Sequence, residues 1–150
     1  MAEILETLAR GLPCPSLADT SAAARAFAAA VGRDCAVALL GGLGAGKTAF
    51  VKELAKALGI ARTVKSPSFN ICCVYEIPAG GSLVHVDAYR LADGAQFENL
   101  LIDEIAPAPR IVCVEWAEIV KDYFEPDYIL AFDIEGGAHT IKLLRDWGCA

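Results

Sequence analysis

The chain has 150 residues, of which 55% are hydrophobic and 21% are charged, a composition typical of one folded globular domain rather than of a disordered chain. Its formal net charge is −6, which excludes a broad basic surface that binds nucleic acid unaided. No run approaches the roughly 18 uncharged apolar residues that span a bilayer, which excludes a transmembrane protein.

The start of the chain and its cysteines predict a cytoplasmic protein. Residues 1–10 carry Glu3 and Glu6 and lack the basic start and apolar core of a secretory signal. The six cysteines show no C-x-x-C spacing, and four of them lie inside apolar runs, where a free thiol packs as a small hydrophobe. We therefore expect reduced thiols at Cys14, Cys35, Cys72, Cys73, Cys113 and Cys149.

The first part of the chain predicts a helix, a strand and a second helix. Residues 11–16 contain two prolines and predict a loop. The alanine-rich residues 20–31 predict a helix that is capped at residues 19–21. Residues 35–40 form a short apolar run before two glycines, which predicts a buried strand. Apolar residues at helical spacing over residues 48–58 predict the second helix.

The rest of the chain predicts strands and hairpins. A glycine-rich turn joins residues 69–77 to residues 83–86, and a second such turn joins residues 128–134 to residues 140–144. Residues 111–114 form a further continuous apolar run. Buried runs mixed with hairpins predict an α/β fold, with a central sheet of mixed parallel and antiparallel strands flanked by helices.

One segment, from Gly41 to Thr48, matches the phosphate-binding pattern G-x-x-x-x-G-K-[ST] between a predicted strand and a predicted helix. Glycines let successive backbone N–H groups turn toward phosphate oxygens, and the helix points its positive end at them. Lys47 is expected to reach the β- and γ-phosphates, and the Thr48 hydroxyl to bind Mg²⁺. The pattern predicts a single P-loop NTPase-like domain over residues 1–150. The nucleotide-binding residues predicted at this segment are Gly42, Leu43, Gly44, Ala45, Gly46, Lys47, Thr48 and Ala49.

Two acidic residues end apolar runs and are candidates for holding Mg²⁺ or orienting water. Glu115 follows the run 111–114 in the manner of a Walker B acid, and Asp87 follows the run 83–86. The alternatives are a structural salt bridge for Glu115 and a solvated strand end for Asp87. We predict Lys47, Asp87 and Glu115 as catalytic residues, and Thr48, Asp87 and Glu115 as metal ligands.

Two serines, Ser66 and Ser68, lie where P-loop proteins often keep a switch segment. Their hydroxyls would contact the γ-phosphate or Mg²⁺, and a capped turn before a strand is an equally good interpretation. His85 and His139 are interpreted as ordinary strand residues, because no Cys or His at metal-binding spacing accompanies them.

Five segments of the chain form a specific combination: residues 43–48 (LGAGKT), 58–60 (LGI), 64–69 (VKSPSF), 85–91 (HVDAYRL) and 114–118 (VEWAE). Their order and spacing resemble the TsaE family, the bacterial ATPases of tRNA threonylcarbamoyladenosine biosynthesis, over nearly the whole chain. Departures from the family pattern include Ala117, where proline is usual, and the stretch 99–103, which lacks an expected glycine.

The resemblance implies ATP and Mg²⁺ as cofactors, bound at the glycine loop. It also implies a functional carboxylate at Asp87, a magnesium-linked acid at Glu115, a cofactor-binding aromatic residue at Trp116, and a switch-like role for Ser66 and Ser68. Two partner proteins would modify the adenosine beside the anticodon of certain tRNAs, so that the chain would meet tRNA only indirectly and no membrane. ATP hydrolysis, weak in the isolated chain, would drive or reset that complex.

Two other P-loop functions stay open as alternatives. A small-molecule kinase would usually add an arginine-rich lid, whereas the arginines of this chain are scattered. A nucleotide-dependent binding switch of the GTP class would need an Asn-Lys-x-Asp motif, which this sequence lacks. A preference for ATP without any phosphate acceptor would favour the ATPase over both.

Overall fold

The structure is a computed structural model that describes residues 3–62, 64 and 71–147. Its strands are β1 (Leu12–Cys14), β2 (Cys35–Leu40), β3 (Cys72–Glu76), β4 (Ser82–Asp87), β5 (Arg110–Glu115), β6 (Tyr128–Glu135) and β7 (Ala138–Leu144). Its α-helices are α1 (Glu3–Arg10), α2 (Leu17–Val31), α3 (Lys47–Ala57), α4 (Ala95–Glu98) and α5 (Ile102–Ile105). Two 3₁₀ turns, Ala88–Arg90 and Ala117–Val120, follow β4 and β5.

These strands form one seven-stranded sheet in the order β1-β7-β6-β2-β5-β4-β3. The four central strands β6, β2, β5 and β4 run parallel, whereas β1, β7 and β3 pair antiparallel toward the edges. The predicted mixed sheet and both predicted hairpins are therefore confirmed. In register, Leu39 of β2 lies beside Glu115 of β5, which lies beside Asp87 of β4. The ends of three parallel strands thus meet at one edge of the sheet.

Apolar clusters cover both faces of the sheet, because successive strand residues point to opposite sides. One cluster contains Phe27 of α2 and Phe50 of α3, both fully buried. The other contains Phe97 of α4 and Phe124, which pack with their ring centroids 5.4 Å apart. Full burial of a phenylalanine side chain contributes about 1.5–3 kcal/mol to the stability of the fold, relative to leaving it exposed. None of the helices in the described ranges is long and apolar enough to cross a membrane.

The start of α2 differs from the prediction. The helix begins at Leu17 rather than at residue 20, because Ser16 is its N-cap. The Ser16 hydroxyl accepts a hydrogen bond from the Asp19 N–H at 3.3 Å, and the Asp19 carboxylate accepts one from the Ser16 N–H at 3.0 Å. This capping box satisfies backbone donors at the helix start, so the cap predicted at residues 19–21 is wrong.

A short edge strand replaces part of the loop predicted at residues 11–16. Strand β1 pairs with β7, and Leu12 lies opposite Ile141. Pro13 has no backbone N–H to donate. It is compatible with this position because an edge strand has no neighbouring strand on its outer side that would need that donor. The prediction of a loop is wrong at this point because the pairing partner lies far along the chain. Helix α1 was not predicted either.

Leu101 precedes α5 with φ 53° and ψ 47°, in the left-handed region that glycine favours. This residue lies in the stretch 99–103, where the family pattern leads us to expect a glycine. A side chain in this conformation costs about 1–2 kcal/mol. The Leu101 side chain is also half-exposed, so burial offsets little of that strain.

The described cysteines Cys14, Cys35, Cys72, Cys73 and Cys113 are free thiols. Burial raises the pKa of Cys35 to about 12 and the pKa of Cys72 to about 11. Neither residue is therefore a reactive thiolate near neutral pH. Cys149 lies outside the described residues.

Candidate functional site

The loop between β2 and α3 contains three glycines with positive φ, at Gly41 (143°), Gly44 (78°) and Gly46 (111°). A Cβ atom on Gly41 would collide with the backbone carbonyl of Phe132, so a glycine is needed where the chain passes β6. Gly46 is the N-cap of α3, and its carbonyl accepts a hydrogen bond from the Phe50 N–H at 3.0 Å. The loop therefore leads from the end of β2 straight into the first turn of α3.

Helix α3 points its N-terminus at the space that this loop encloses. The first N–H groups of a helix have no partner within it, and the helix dipole adds partial positive charge there. Within the loop, the Ala45 N–H donates to the Gly42 carbonyl at 3.2 Å, which holds the turn closed. Leu43 at the tip is 93% exposed. Backbone donors in such a turn suit the oxygens of a phosphate.

Lys47, the first residue of α3, is buried inside the loop with only 5% of its surface exposed. Its ammonium donates hydrogen bonds to the carbonyl of Gly41 and, at 3.2 Å, to that of Gly42. Burial lowers the pKa of Lys47, and the negative charges of Glu115, Glu118 and Asp87 oppose that shift. The loop thus holds a cation at its centre.

Glu115, at the end of β5, is buried and accepts two hydrogen bonds on the same oxygen, Oε2. The Thr48 hydroxyl donates to it at 2.8 Å, and His85 Nε2 donates at 2.5 Å. Burial alone would raise the pKa of this carboxyl, but His85, Thr48 and Lys47 outweigh burial and lower the pKa below its ordinary value. Glu115 is therefore a fixed negative charge beside the loop.

Asp87, at the end of β4, caps the 3₁₀ turn that follows it. Its Oδ1 accepts a hydrogen bond from the Tyr89 N–H at 3.1 Å, and its Oδ2 lies 3.7 Å from Arg90 Nε. The side chain of Asp87 keeps 17% of its surface exposed, about twice the fraction of Glu115. Asp87 is therefore more accessible from solvent than its neighbour in the sheet.

An aromatic pair lies beside Lys47. Trp116 has φ 58°, a left-handed conformation, and its backbone N–H donates to the Leu39 carbonyl at 3.2 Å. The Lys47 Nζ lies 4.0 Å from the centroid of the Trp116 ring, a cation–π contact. Tyr89 packs against Trp116 with the ring centroids 4.9 Å apart, and Tyr89 is 65% exposed. Strained residues of this kind cluster at functional sites.

A cleft of about 310 Å³ lies on the other side of the loop from Glu115. Ala45, Gly46 and Ala49 form one wall, and the opposite walls come from residues 14–17 and from β6 and β7. His139 of β7 lines this cleft and donates from Nδ1 to the Ala45 carbonyl at 3.0 Å. The cleft is therefore continuous with the loop.

The structure brings most of the predicted site residues together. The residues on the loop and on the start of α3 are Gly42, Leu43, Gly44, Ala45, Gly46, Lys47, Thr48 and Ala49. Glu115 and Trp116 come from the end of β5, and Asp87 comes from the end of β4. Ser66 and Ser68 lie outside the described residues.

Both histidines touch this site, which the sequence interpretation missed. His85 and His139 do lie on strands, yet His85 bonds Glu115 and His139 bonds the loop. A signal for His85 was available: it stands two residues before Asp87, and side chains two apart on a strand point to the same face. No comparable signal marks His139.

Oxygen donors dominate the part of the site beside α3. The described residues contain no group of three or more His, Cys, Asp or Glu side chains that could hold a metal ion by themselves. The Thr48 hydroxyl and the Glu115 carboxylate nevertheless form a hard oxygen pair, the donor type that Mg²⁺ prefers. Mg²⁺ commonly takes its other ligands from water and substrate phosphates, so this pair fits that ion.

Comparison with known proteins gives one family. The family model described as threonylcarbamoyl adenosine biosynthesis protein TsaE matches residues 14–142. The tRNA threonylcarbamoyladenosine biosynthesis protein TsaE of Bacillus subtilis is 38% identical over 107 residues, covering 69% of this chain and 64% of its own. The protein of the same name from Treponema pallidum is 37% identical over 98 residues, covering 65% and 70%. The chain thus matches just under two thirds of the length of the Bacillus relative.

A solved structure has the same fold. The crystal structure of Bacillus subtilis YdiB superposes with a TM-score of 0.70 and 28% identity, covering 87% of this chain and 81% of that chain. The α/β architecture is therefore shared along most of both chains.

Proposed function

The chain belongs to the TsaE family of threonylcarbamoyl adenosine biosynthesis proteins, and from this we propose that it is a Mg²⁺-dependent ATPase serving that modification of tRNA. One observation carries the proposal. A glycine loop encloses the Lys47 ammonium, and the Thr48 hydroxyl beside it is bonded at 2.8 Å to an acid on the neighbouring parallel strand. A constellation of this kind binds phosphate in nucleotide hydrolases, which supports the proposal.

The triphosphate of ATP would lie in the loop. Backbone N–H groups of residues 42–46 and the first N–H groups of α3, up to Ala49, would donate to its oxygens. Lys47 would exchange its bonds to the Gly41 and Gly42 carbonyls for the β- and γ-phosphates. Its charge would then stabilise the negative charge that develops on the transferred phosphoryl group.

Thr48 and Glu115 would hold Mg²⁺, with Asp87 as a further oxygen donor at the same sheet edge. When bound there, Mg²⁺ would supply positive charge that offsets the negative charge of the phosphates. The Thr48 hydroxyl would turn from Glu115 toward the ion, and His85 would keep its bond to Glu115. The low pKa of Glu115 supports this role, because the carboxylate stays charged.

Asp87 would orient the water that attacks the γ-phosphate, since it is the more accessible of the two acids. The lowered pKa of Glu115 makes it a weak base, and the oxygens of Asp87 are engaged by Tyr89 and Arg90. Turnover by the isolated chain should therefore be slow and should rise with partner proteins. We propose that Trp116 loses its contact with Lys47 when the lysine binds phosphate. A switch-like role for Ser66 and Ser68 is part of the same proposal.

The wider role follows from the family. We propose that two protein partners and this chain act together on tRNA in the cytoplasm, with the chain driving or resetting the complex. The net charge of −6 supports an indirect contact with tRNA. The alternatives are a small-molecule kinase and a nucleotide-dependent binding switch.

Substituting Lys47→Ala tests the proposal. We expect the affinity for ATP with Mg²⁺ to fall about 10- to 100-fold, because charge-assisted bonds to phosphate are lost. Lys52→Ala removes a lysine from the exposed side of the same helix and is the matched control. Calorimetric titration of both variants with ATP and ADP gives the comparison. Equal affinity in Lys47→Ala and the control would contradict the site, and rapid phosphate transfer to a small acceptor would favour the kinase.

A further inference from the structure

The cleft beside the loop lies where a nucleobase would go. In the sheet, β2 stands between β5, which carries Glu115, and β6. Because the triphosphate would extend toward Thr48 and Glu115, the rest of the nucleotide must leave the loop on the β6 and β7 side. The cleft of about 310 Å³ is on that side, with Phe132 of β6 and His139 of β7 in its walls.

A hydrogen bond fixes the tautomer of His139 in this cleft. Its Nδ1 lies 3.0 Å from the carbonyl oxygen of Ala45. A carbonyl only accepts, so Nδ1 must carry the hydrogen. In a neutral imidazole the other nitrogen, Nε2, is then an acceptor. The carbonyl of the loop thereby determines that Nδ1 donates and that Nε2 accepts.

The acceptor Nε2 is open to a ligand. The two nitrogens lie on different sides of the ring, so Nε2 points away from Ala45. Within the described ranges His139 hydrogen-bonds through Nδ1 and not through Nε2. The only buried side-chain nitrogen or oxygen there without a hydrogen-bond partner is His85 Nδ1, so the unbonded Nε2 of the half-buried His139 is not buried. The Ser16 hydroxyl, another polar group of the cleft, is engaged, because it donates to Asp19 at 2.7 Å.

We infer that His139 is a specificity-determining residue that selects adenine over guanine nucleotides, an inference that rests on the proposed nucleotide site. The 6-amino group of adenine donates hydrogen bonds, and it matches the Nε2 acceptor. Guanine carries a carbonyl oxygen at the same position, and this oxygen would face Nε2 as a second acceptor. Two acceptors cannot bond each other, so guanine would leave both atoms unsatisfied.

Ligand and residue can be changed independently to test this inference. The probes are ATP, GTP and purine riboside triphosphate, which lacks any group at position 6. They are titrated with Mg²⁺ at about pH 8, where an ordinary imidazole is neutral. For the unaltered protein we expect purine riboside triphosphate to bind about 3- to 10-fold more weakly than ATP, and GTP about 10- to 100-fold more weakly.

The variant His139→Asn separates base selection from support of the loop. The asparagine amide can still donate to the Ala45 carbonyl, in the manner of Nδ1, but it has no atom in the position of Nε2. We expect the three nucleotides to bind this variant within about twofold of one another. Lys142→Ala, an exposed neighbour on the same strand, is the matched control and should keep the original ratios.

The outcomes distinguish the selectivity from the site itself. Equal binding of ATP and GTP by the unaltered protein overturns the role of His139 and leaves the phosphate site intact. Unchanged ratios in His139→Asn overturn it too, because the base is then recognised elsewhere. Absence of binding by all three nucleotides overturns the proposed function as well. Should His139→Asn fail to fold in a thermal unfolding check, the comparison of ATP with purine riboside triphosphate on the unaltered protein decides.

Discussion

Glu115 and Asp87 lie side by side at the ends of neighbouring parallel strands, and their surroundings are opposite. Glu115 is 6% exposed and accepts hydrogen bonds from Thr48 and His85. Asp87 is more exposed. One of its oxygens accepts a hydrogen bond from the backbone of Tyr89, and the other lies near the Arg90 side chain. The sequence pattern of an acid after an apolar run therefore predicts where a carboxylate lies in the sheet. Its burial and charge depend on the residues that contact it in the fold.

This difference suggests a division of labour between the two acids. A buried carboxylate with two donors keeps one position and one charge, which suits an ion that needs a rigid ligand shell. A partly exposed carboxylate on a short turn can move to meet a water molecule. The following predictions change one acid at a time.

The largest effect is expected for Asp87→Asn. The asparagine side-chain oxygen can still accept from the Tyr89 N–H, so the turn should persist. Turnover of ATP should nevertheless fall about 100-fold or more, because the variant lacks the charge that we propose orients the attacking water. Single-turnover phosphate release measures hydrolysis, and titration with ATP measures binding. Normal turnover in this variant would remove Asp87 from the catalytic residues.

A smaller effect, of a different kind, is expected for Glu115→Gln. The Mg²⁺-dependent affinity for ATP should fall about 10- to 100-fold, because an uncharged amide supports the ion poorly. Affinity measured in excess chelator should change little, since the loop and Lys47 remain. Titrations with and without Mg²⁺ separate the two contributions. If both affinities fall equally, Glu115 supports the loop rather than the metal.

The smallest effect concerns stability in acid. The pKa of Glu115 is lowered in the folded chain from an ordinary value of 4.5. Its charged form therefore stabilises the fold above about pH 4.5, and this stabilisation is lost as the pH falls through the lower, folded pKa. Between about pH 5 and pH 3, the free energy of unfolding should decrease more for the unaltered protein than for Glu115→Gln. Urea unfolding at several pH values gives the two curves, and parallel curves would contradict the lowered pKa.

Local signals account for the elements that the sequence predicted well. Strand β2 ends where glycines begin, and α3 follows a motif that forces a turn, so neighbouring residues suffice for both. Strand β1 depends on pairing with β7, more than a hundred residues later, and no local pattern marks it. The start of α2 was predictable in principle, because Ser16 and Asp19 have capping-box spacing.

Motif residues of the site were predictable for the same reason. Lys47 and Thr48 belong to one contiguous segment, and Glu115 ends a recognisable apolar run. The roles of the two histidines depend on which strands are neighbours, because His85 meets an acid on β5 and His139 meets the loop after β2. Such contacts arise only once the strand order is known.

Pro13 in β1 has a consequence for the self-association of the protein. A strand at the margin of a sheet can template the addition of a further chain, which is a route to filaments and precipitates. Proline carries no backbone hydrogen to donate, and it sits at the centre of this three-residue strand. Growth of the sheet past this margin is therefore opposed by covalent structure, independently of any surface charge.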